Sequence, residues 1–139
     1  MIQRIQSIWL LVSALCAAFS YEFPFYSGNK LNPDATQSFE KLDAGSNFIL
    51  LITTAVLAAG CFYIIFLYKN REQQFWLTLA ALGLSVINLF IYFNEVQKYT
   101  SGNMALGSVL SIGIPILLLL AVMGIRKDQK LVKSVDRLR

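Results

Sequence analysis

Two thiols and a few carboxylates are the groups with which this chain could do chemistry. Cys16 and Cys61 are its two cysteines, and histidine is absent. Without histidine, the commonest general base and metal ligand is missing. A quinone-linked thiol oxidase would need paired cysteines near one face of a membrane. On the spans delimited below, Cys16 lies about two-thirds of the way toward the outer end and Cys61 about two-thirds toward the inner end. At about 1.5 Å rise per residue, their depths differ by roughly 10 Å. A disulfide needs Cα atoms within about 7 Å. Both are read as small apolar fillers, the common state of a buried free cysteine.

The carboxylates fare no better. A proton-coupled exporter needs one near the middle of a span, where an ionisable group is expensive and therefore functional. Glu22 and Glu95 fall at span ends instead. As a pair they could hold a cation; as boundary charges they are simply solvated. No base and nucleophile pair up inside a span. The sequence therefore assigns no catalytic, metal or cofactor-binding residue, and the expectation is a protein that is not an enzyme.

The elements around these groups are set by where charge is missing. Only 14% of the 139 residues are charged and 56% are hydrophobic, with a mean hydropathy of +0.57. A soluble domain carries about 25% charged residues. Four stretches carry no charge at all: 5–21, 44–68, 73–94 and 99–125, of 17, 25, 22 and 27 residues. A membrane-spanning helix needs about 20 apolar residues. The first stretch reaches that length when Arg4 and Glu22 sit at the interfaces. Residues 47–68 are apolar around the whole helical wheel, unlike a soluble amphipathic helix. A chain this short could not bury four such helices in a core of its own.

The expected architecture is all-α: one transmembrane domain over residues 1–139, an integral membrane four-helix bundle with spans at about 3–23, 46–68, 73–94 and 102–125. The first span could pass for a signal peptide, but Leu15 stands before Cys16 where a lipoprotein signal needs a small residue. It is read as a retained helix that Pro24 stops. An external loop covers 24–45, with a short interfacial helix predicted over 35–42. Lys69 to Glu72 makes a tight turn, so the second and third spans form a hairpin. A second short turn covers 95–100. Pro115 is expected to kink the last span. No internal repeat is read.

Basic residues favour the cytoplasmic side of a membrane. With both ends inside, nine of the twelve lie there: Arg4, Lys69, Arg71, Arg126, Lys127, Lys130, Lys133, Arg137 and Arg139. Lys30, Lys41 and Lys98 lie outside. The orientation expected is N-in/C-in, and the net charge of +4 belongs to the tail 126–139 rather than to a nucleic-acid surface. Trp9, Tyr68, Phe75 and Trp76 mark the inner interface, and Tyr21, Tyr26, Tyr92 and Tyr99 the outer one. In the tail, Leu131, Val132, Val135 and Leu138 fall on one face and the basic residues on the other, predicting a short basic amphipathic helix. It can anchor the topology, lie on anionic lipid, or dock a protein.

Lys69, Arg71, Arg126, Lys127, Lys130, Lys133, Arg137 and Arg139 are accordingly the candidate contacts to lipid headgroups or a partner. Inside the spans, Asn88, Ser85 and Ser111 are the candidate polar contacts. An amide in hydrocarbon needs a partner, so Asn88 should face another helix. Small residues recur four apart at Ala14/Ala18, Ala55/Ala59, Ala81/Ser85 and Gly107/Ser111, where helices can approach closely.

Three stretches together resemble a known family: the start Met1-Ile2-Gln3-Arg4-Ile5-Gln6-Ser7, the turn Tyr68-Lys69-Asn70-Arg71-Glu72-Gln73-Gln74, and the end from Gly124 to Arg139. The chain resembles a Bacteroidota family of small four-helix membrane proteins, catalogued as domain of unknown function 4293. The resemblance implies a multi-pass protein of the bacterial inner membrane and supplies no activity or cofactor. The leading expectation is a non-enzymatic membrane subunit or scaffold, with membrane lipids and another protein as its contacts. The alternative is a small carrier or lipid-binding bundle, with a cavity lined by Ser85, Asn88 and Ser111.

Overall fold

The computed structural model describes residues 2–31 and 36–136. Its elements run α1 (Ile2–Phe19), β1 (Tyr26–Leu31), β2 (Gln37–Leu42), α2 (Phe48–Phe66), α3 (Arg71–Val96), β3 (Tyr99–Met104) and α4 (Leu106–Asp136). Three helices, α2, α3 and α4 as far as Val132, are long and apolar enough to cross a membrane. The apolar stretch of α1, Ile5–Phe19, is shorter.

Each helix buries a seam whose steps alternate between four and three residues. In α1 and the turn after it, the seam is Gln6, Leu10, Ser13, Ala17 and Ser20; in α2 it is Leu50, Thr54, Leu57, Cys61 and Ile64. In α3 it includes Gln74, Thr78, Ser85, Asn88 and Tyr92, and in α4 Ser111, Ile114, Leu118, Ala121 and Ile125. The mean step of about 3.5, just under the 3.6-residue turn, is the spacing of a left-handed coiled seam. α1 packs on α2 and α4, and α3 packs on the same two. The bundle is a ring of antiparallel neighbours. Of the small-residue pairs, Ala14, Gly107, Ser85 and Ser111 face the core, while Ala18, Ala55 and Ala59 point outward.

The expectation of an all-α chain is corrected by a three-stranded antiparallel sheet, in the order β2-β1-β3. It caps the bundle end opposite the α2–α3 turn. β2 stands where an interfacial helix was predicted. Its burial alternates residue by residue, with Phe39 outward and Leu42 inward, which is the period of a strand. The turn predicted at 95–100 narrows to residues 97–98, and β3 follows it and delays α4 to Leu106. β1 and β3 share the tripeptide Ser-Gly-Asn and pair through it: Ser27 opposes Asn103, Gly28 opposes Gly102, and Asn29 opposes Ser101. A Cβ on Gly28 would run into the Ser101 carbonyl, and one on Gly102 into the Ser27 carbonyl. Glycine permits this close approach.

Two further boundaries move. α1 ends at Phe19, and the chain reaches Phe23 through tightened turns, Tyr21 N–H bonding the Ala18 carbonyl at 3.3 Å and Glu22 N–H that of Phe19 at 3.0 Å. The tail is not a separate short helix: α4 runs unbroken through residue 126 to Asp136, with Pro115 inside it.

Phe25 joins sheet to bundle. Its N–H donates to the Leu42 carbonyl at 2.6 Å, and its carbonyl accepts from Ala105 N–H at 3.0 Å. Its ring stacks on Tyr92 at 4.4 Å and meets Phe93 edge-on at 5.9 Å.

Candidate functional site

At the turn end, α2 stops at Phe66 and α3 begins at Arg71, so the last carbonyls of α2 need partners. Gln74, 4% exposed, reaches across to the Ile64 carbonyl at 3.4 Å. The start of α3 then meets α4. Gln129 Nε2 donates to the Arg71 carbonyl at 3.0 Å. The Arg71 guanidinium lies 3.4 Å from the Asp128 carboxylate, close enough for ion pairing but outside hydrogen-bond geometry. One turn inward, the Arg126 guanidinium sits over the Phe75 ring at 5.1 Å, within cation–π range.

This end gathers the predicted basic residues. Lys69, Arg126, Lys127 and Lys130 are exposed and Arg71 is half-buried. Arg126, Lys127 and Lys130 border a hollow on α4 together with Gln129. Lys133 lies on α4; Arg137, Arg139 and Leu138 lie outside the described residues. Sequence reasoning missed Gln129 and Asp128, which brace α4 against α3. An amide and an acid inside a basic run are the only trace they leave in the sequence.

In the sheet-side half of the bundle, Asn88 Nδ2 donates to Thr53 Oγ1 and Thr54 Oγ1, both at 2.9 Å. Ser85 turns back to its own helix, donating to the Leu82 carbonyl at 2.7 Å. Ser111 is 4% exposed and has no hydrogen-bond partner. The three predicted polar residues therefore do not converge on one cavity. Ser111 belongs instead to a layer with Tyr92, which was expected at the outer interface and is in fact 1% exposed in the core. The hydroxyls of Ser20, Thr54 and Ser111 stand close enough to the Tyr92 hydroxyl to interact, but none meets hydrogen-bond geometry with it.

Cys16 and Cys61 are both free. Cys61 is fully buried, and Cys16 packs against the same apolar cluster as Leu10, Ile114 and Leu118. Glu95 is held by Asn47 at 2.9 Å and by Lys98 at 2.7 Å. Among the described residues, no group of three or more histidine, cysteine or acidic side chains converges on a metal-sized site.

Residues 2–138 match the family described as Domain of unknown function (DUF4293). The chain belongs to that family. No curated protein and no solved structure matches it significantly. The match to DUF4293 covers all four helices and the sheet, so both the basic turn end and the hydroxyl layer lie within the family's domain.

Proposed function

We propose that this DUF4293 protein crosses a bacterial inner membrane four times, with both ends in the cytoplasm, and serves as a non-enzymatic subunit or scaffold. α1 would make the fourth crossing. Its 18 residues give about 27 Å of helix, near the thickness of the hydrocarbon layer, and it packs along both α2 and α4. The excess of basic residues at the turn end supports the orientation. Reporter fusions at each end and in the 24–45 connection test it: cytoplasmic signal at both ends and periplasmic signal in the connection are expected.

One observation carries the docking role. α4 leaves its apolar stretch without a break, and its basic turns are braced by Gln129 and Asp128 against α3. A mere topology anchor needs charge but no such bracing. A fixed row of cations suits an acidic partner surface. The test is co-purification from the native membrane, comparing the wild type with the triple variant Arg126→Gln, Lys127→Gln, Lys130→Gln. A stoichiometric partner lost in the variant is expected. A wild type that brings only lipid, or a variant that keeps the partner, overturns the docking role.

A second reading rests on the cleft between α2 and α3. It measures about 190 Å³ and is lined by apolar side chains, among them Leu57, Gly60, Ile64, Leu77 and Leu84. An acyl chain fits that chemistry, making the bundle a lipid binder or small carrier. Lipid retained in native mass spectrometry and displaced by Gly60→Phe would favour it.

A further inference from the structure

At the sheet end, a hollow of about 510 Å³ opens between the strands, the approach to α2 and the end of α3. Residues from both faces of β2 line it, Phe39 and Lys41 from one and Glu40 from the other. The hollow therefore wraps the free edge of β2, the outer strand of the sheet. Ser46 lines it too, its hydroxyl donating to the Lys41 carbonyl at 3.1 Å. Glu95 near the end of α3 and Tyr99 at the start of β3 complete the lining with Lys30 of β1.

The charges around it balance, Lys30 and Lys41 against Glu40 and Glu95, and two of them have capacity left. Glu40 takes the Lys30 ammonium at 3.2 Å. The Glu95 side chain is 15% exposed, and its two donors, Asn47 at 2.9 Å and Lys98 at 2.7 Å, both fall on Oε1. Among the described residues, nothing donates to its Oε2. Lys41 is exposed and, among the described residues, forms no ion pair. One carboxylate oxygen and one ammonium thus remain free in a lining of no net charge. A guest of either sign alone would meet as many like charges as opposite ones. A guest that carries both finds a partner for each.

The surroundings point to a lipid. Phe39 on the lining and Phe48 at the start of α2 are 66% and 76% exposed. Aromatic side chains at the ends of membrane spans belong at headgroup level. We propose that this hollow seats the headgroup of phosphatidylethanolamine, which joins one ammonium to one phosphate. The lipid's ammonium donates to Glu95 Oε2, and its phosphate accepts from the Lys41 ammonium. The acyl chains return to the bilayer beside Phe39 and Phe48. Phosphatidylcholine carries the same charges but no N–H, so it leaves the Glu95 oxygen without a hydrogen bond. Phosphatidylglycerol brings the phosphate without the cation. The site rests on the reading that the helices cross a membrane, and not on the docking role at the other end.

The test is native mass spectrometry of the full-length protein, offered the three lipids with identical acyl chains. Phosphatidylethanolamine should be retained, one per chain, roughly tenfold better than either of the others, the worth of a hydrogen bond to a charged group. Lys41→Gln removes an exposed side chain that the fold does not use, and Glu95→Gln keeps the shape of the acid. Each should abolish the preference with helicity unchanged by circular dichroism, and Lys127→Gln at the other end should leave it intact. Equal retention of the three lipids, or a preference for phosphatidylglycerol, overturns the proposal, as does a preference that survives both sheet-end variants. Glycerophosphoethanolamine, the same headgroup without chains, should compete only in large excess. If it binds as tightly as the lipid, the guest is a soluble zwitterion and the lipid assignment falls. Failure here with four crossings still reported by the fusions falls on this site alone; fusions that deny the crossings remove the reading beneath it.

Discussion

Asn88 in α3 spans the gap to α2 with one amide nitrogen, donating to Thr53 Oγ1 and Thr54 Oγ1 at 2.9 Å each. Hydrogen bonds between helices in membranes average about 0.6 kcal/mol and reach about 1.7. Asn88→Leu should therefore destabilise the bundle by about 1–2 kcal/mol, read as unfolding in mixed micelles with increasing denaturing detergent. Thr54→Val should cost more than Thr53→Val. Thr54 is 2% exposed, whereas Thr53 is half-buried and also turns its hydroxyl to the Ile49 carbonyl at 2.9 Å. Equal losses from the two threonine variants would show that burial does not weight these bonds.

Gly107 and Gly113 should respond oppositely to alanine. A Cβ on Gly107 would strike the backbone carbonyls of Phe23 and Pro24, whereas one on Gly113 meets nothing within 4 Å. Overpacking costs about 1–3 kcal/mol, and a helix gains up to about 1 kcal/mol when glycine becomes alanine. Gly107→Ala should lower the unfolding midpoint clearly and Gly113→Ala should hold or raise it.

Alkali should loosen the sheet end through Tyr99. Burial pushes its phenol above the ordinary value of 10.0, and the carboxylates of Glu40, Glu95 and Asp43 push the same way. The fold favours the neutral phenol, so Tyr99's contribution is whole below pH 10 and is lost as pH rises through the higher folded value. The difference in phenolate absorbance between wild type and Tyr99→Phe should titrate above pH 10. Protease sensitivity of the sheet should rise over the same range, and less so in the variant. A difference titration centred at or below 10 would contradict the burial.

The bracing of α4 should depend on Gln129 more than on Asp128. Gln129 holds a backbone carbonyl at 3.0 Å, whereas the Arg71–Asp128 pair is at 3.4 Å, with Arg71 one-third exposed. Such pairs contribute about 0–1 kcal/mol and fade with salt. Amide hydrogen exchange over 126–132 should quicken severalfold in Gln129→Ala. In Asp128→Asn it should quicken only at low ionic strength.

The sequence carried the helices well and the sheet poorly, for a physical reason. Apolar length and missing charge place a helix at 46–68 and another at 73–94, and α2 and α3 stand at Phe48–Phe66 and Arg71–Val96. The strands announce themselves less clearly. Tyr26–Leu31 and Tyr99–Met104 are rich in serine, glycine and asparagine, residues that read as turns when met singly. β1 pairs with β2 nearby, but β3 is a strand through its pairing with β1 across about 70 residues, and the recurring Ser-Gly-Asn was the available clue. Tyr92 was read as an interfacial aromatic because its position near a span end fits that rule. Its place in the seam, four residues after Asn88, is what puts it in the core. The alternation of four and three becomes visible only once buried hydroxyls are counted with the apolar side chains.

The middle strand of the sheet has a consequence for how the chain is made. β1 emerges just after the first helix, and β2 can pair with it as soon as the first hairpin is threaded. Its other edge must wait for β3, which follows only after α2 and α3 have been laid down. Until then that edge is open, and Gly28, already opposite Glu40 of β2, lacks Gly102 on its other side. Closure of the sheet thus marks the moment when the second half of the chain has joined the first, and a molecule stalled before α4 would show it by an unpaired β1.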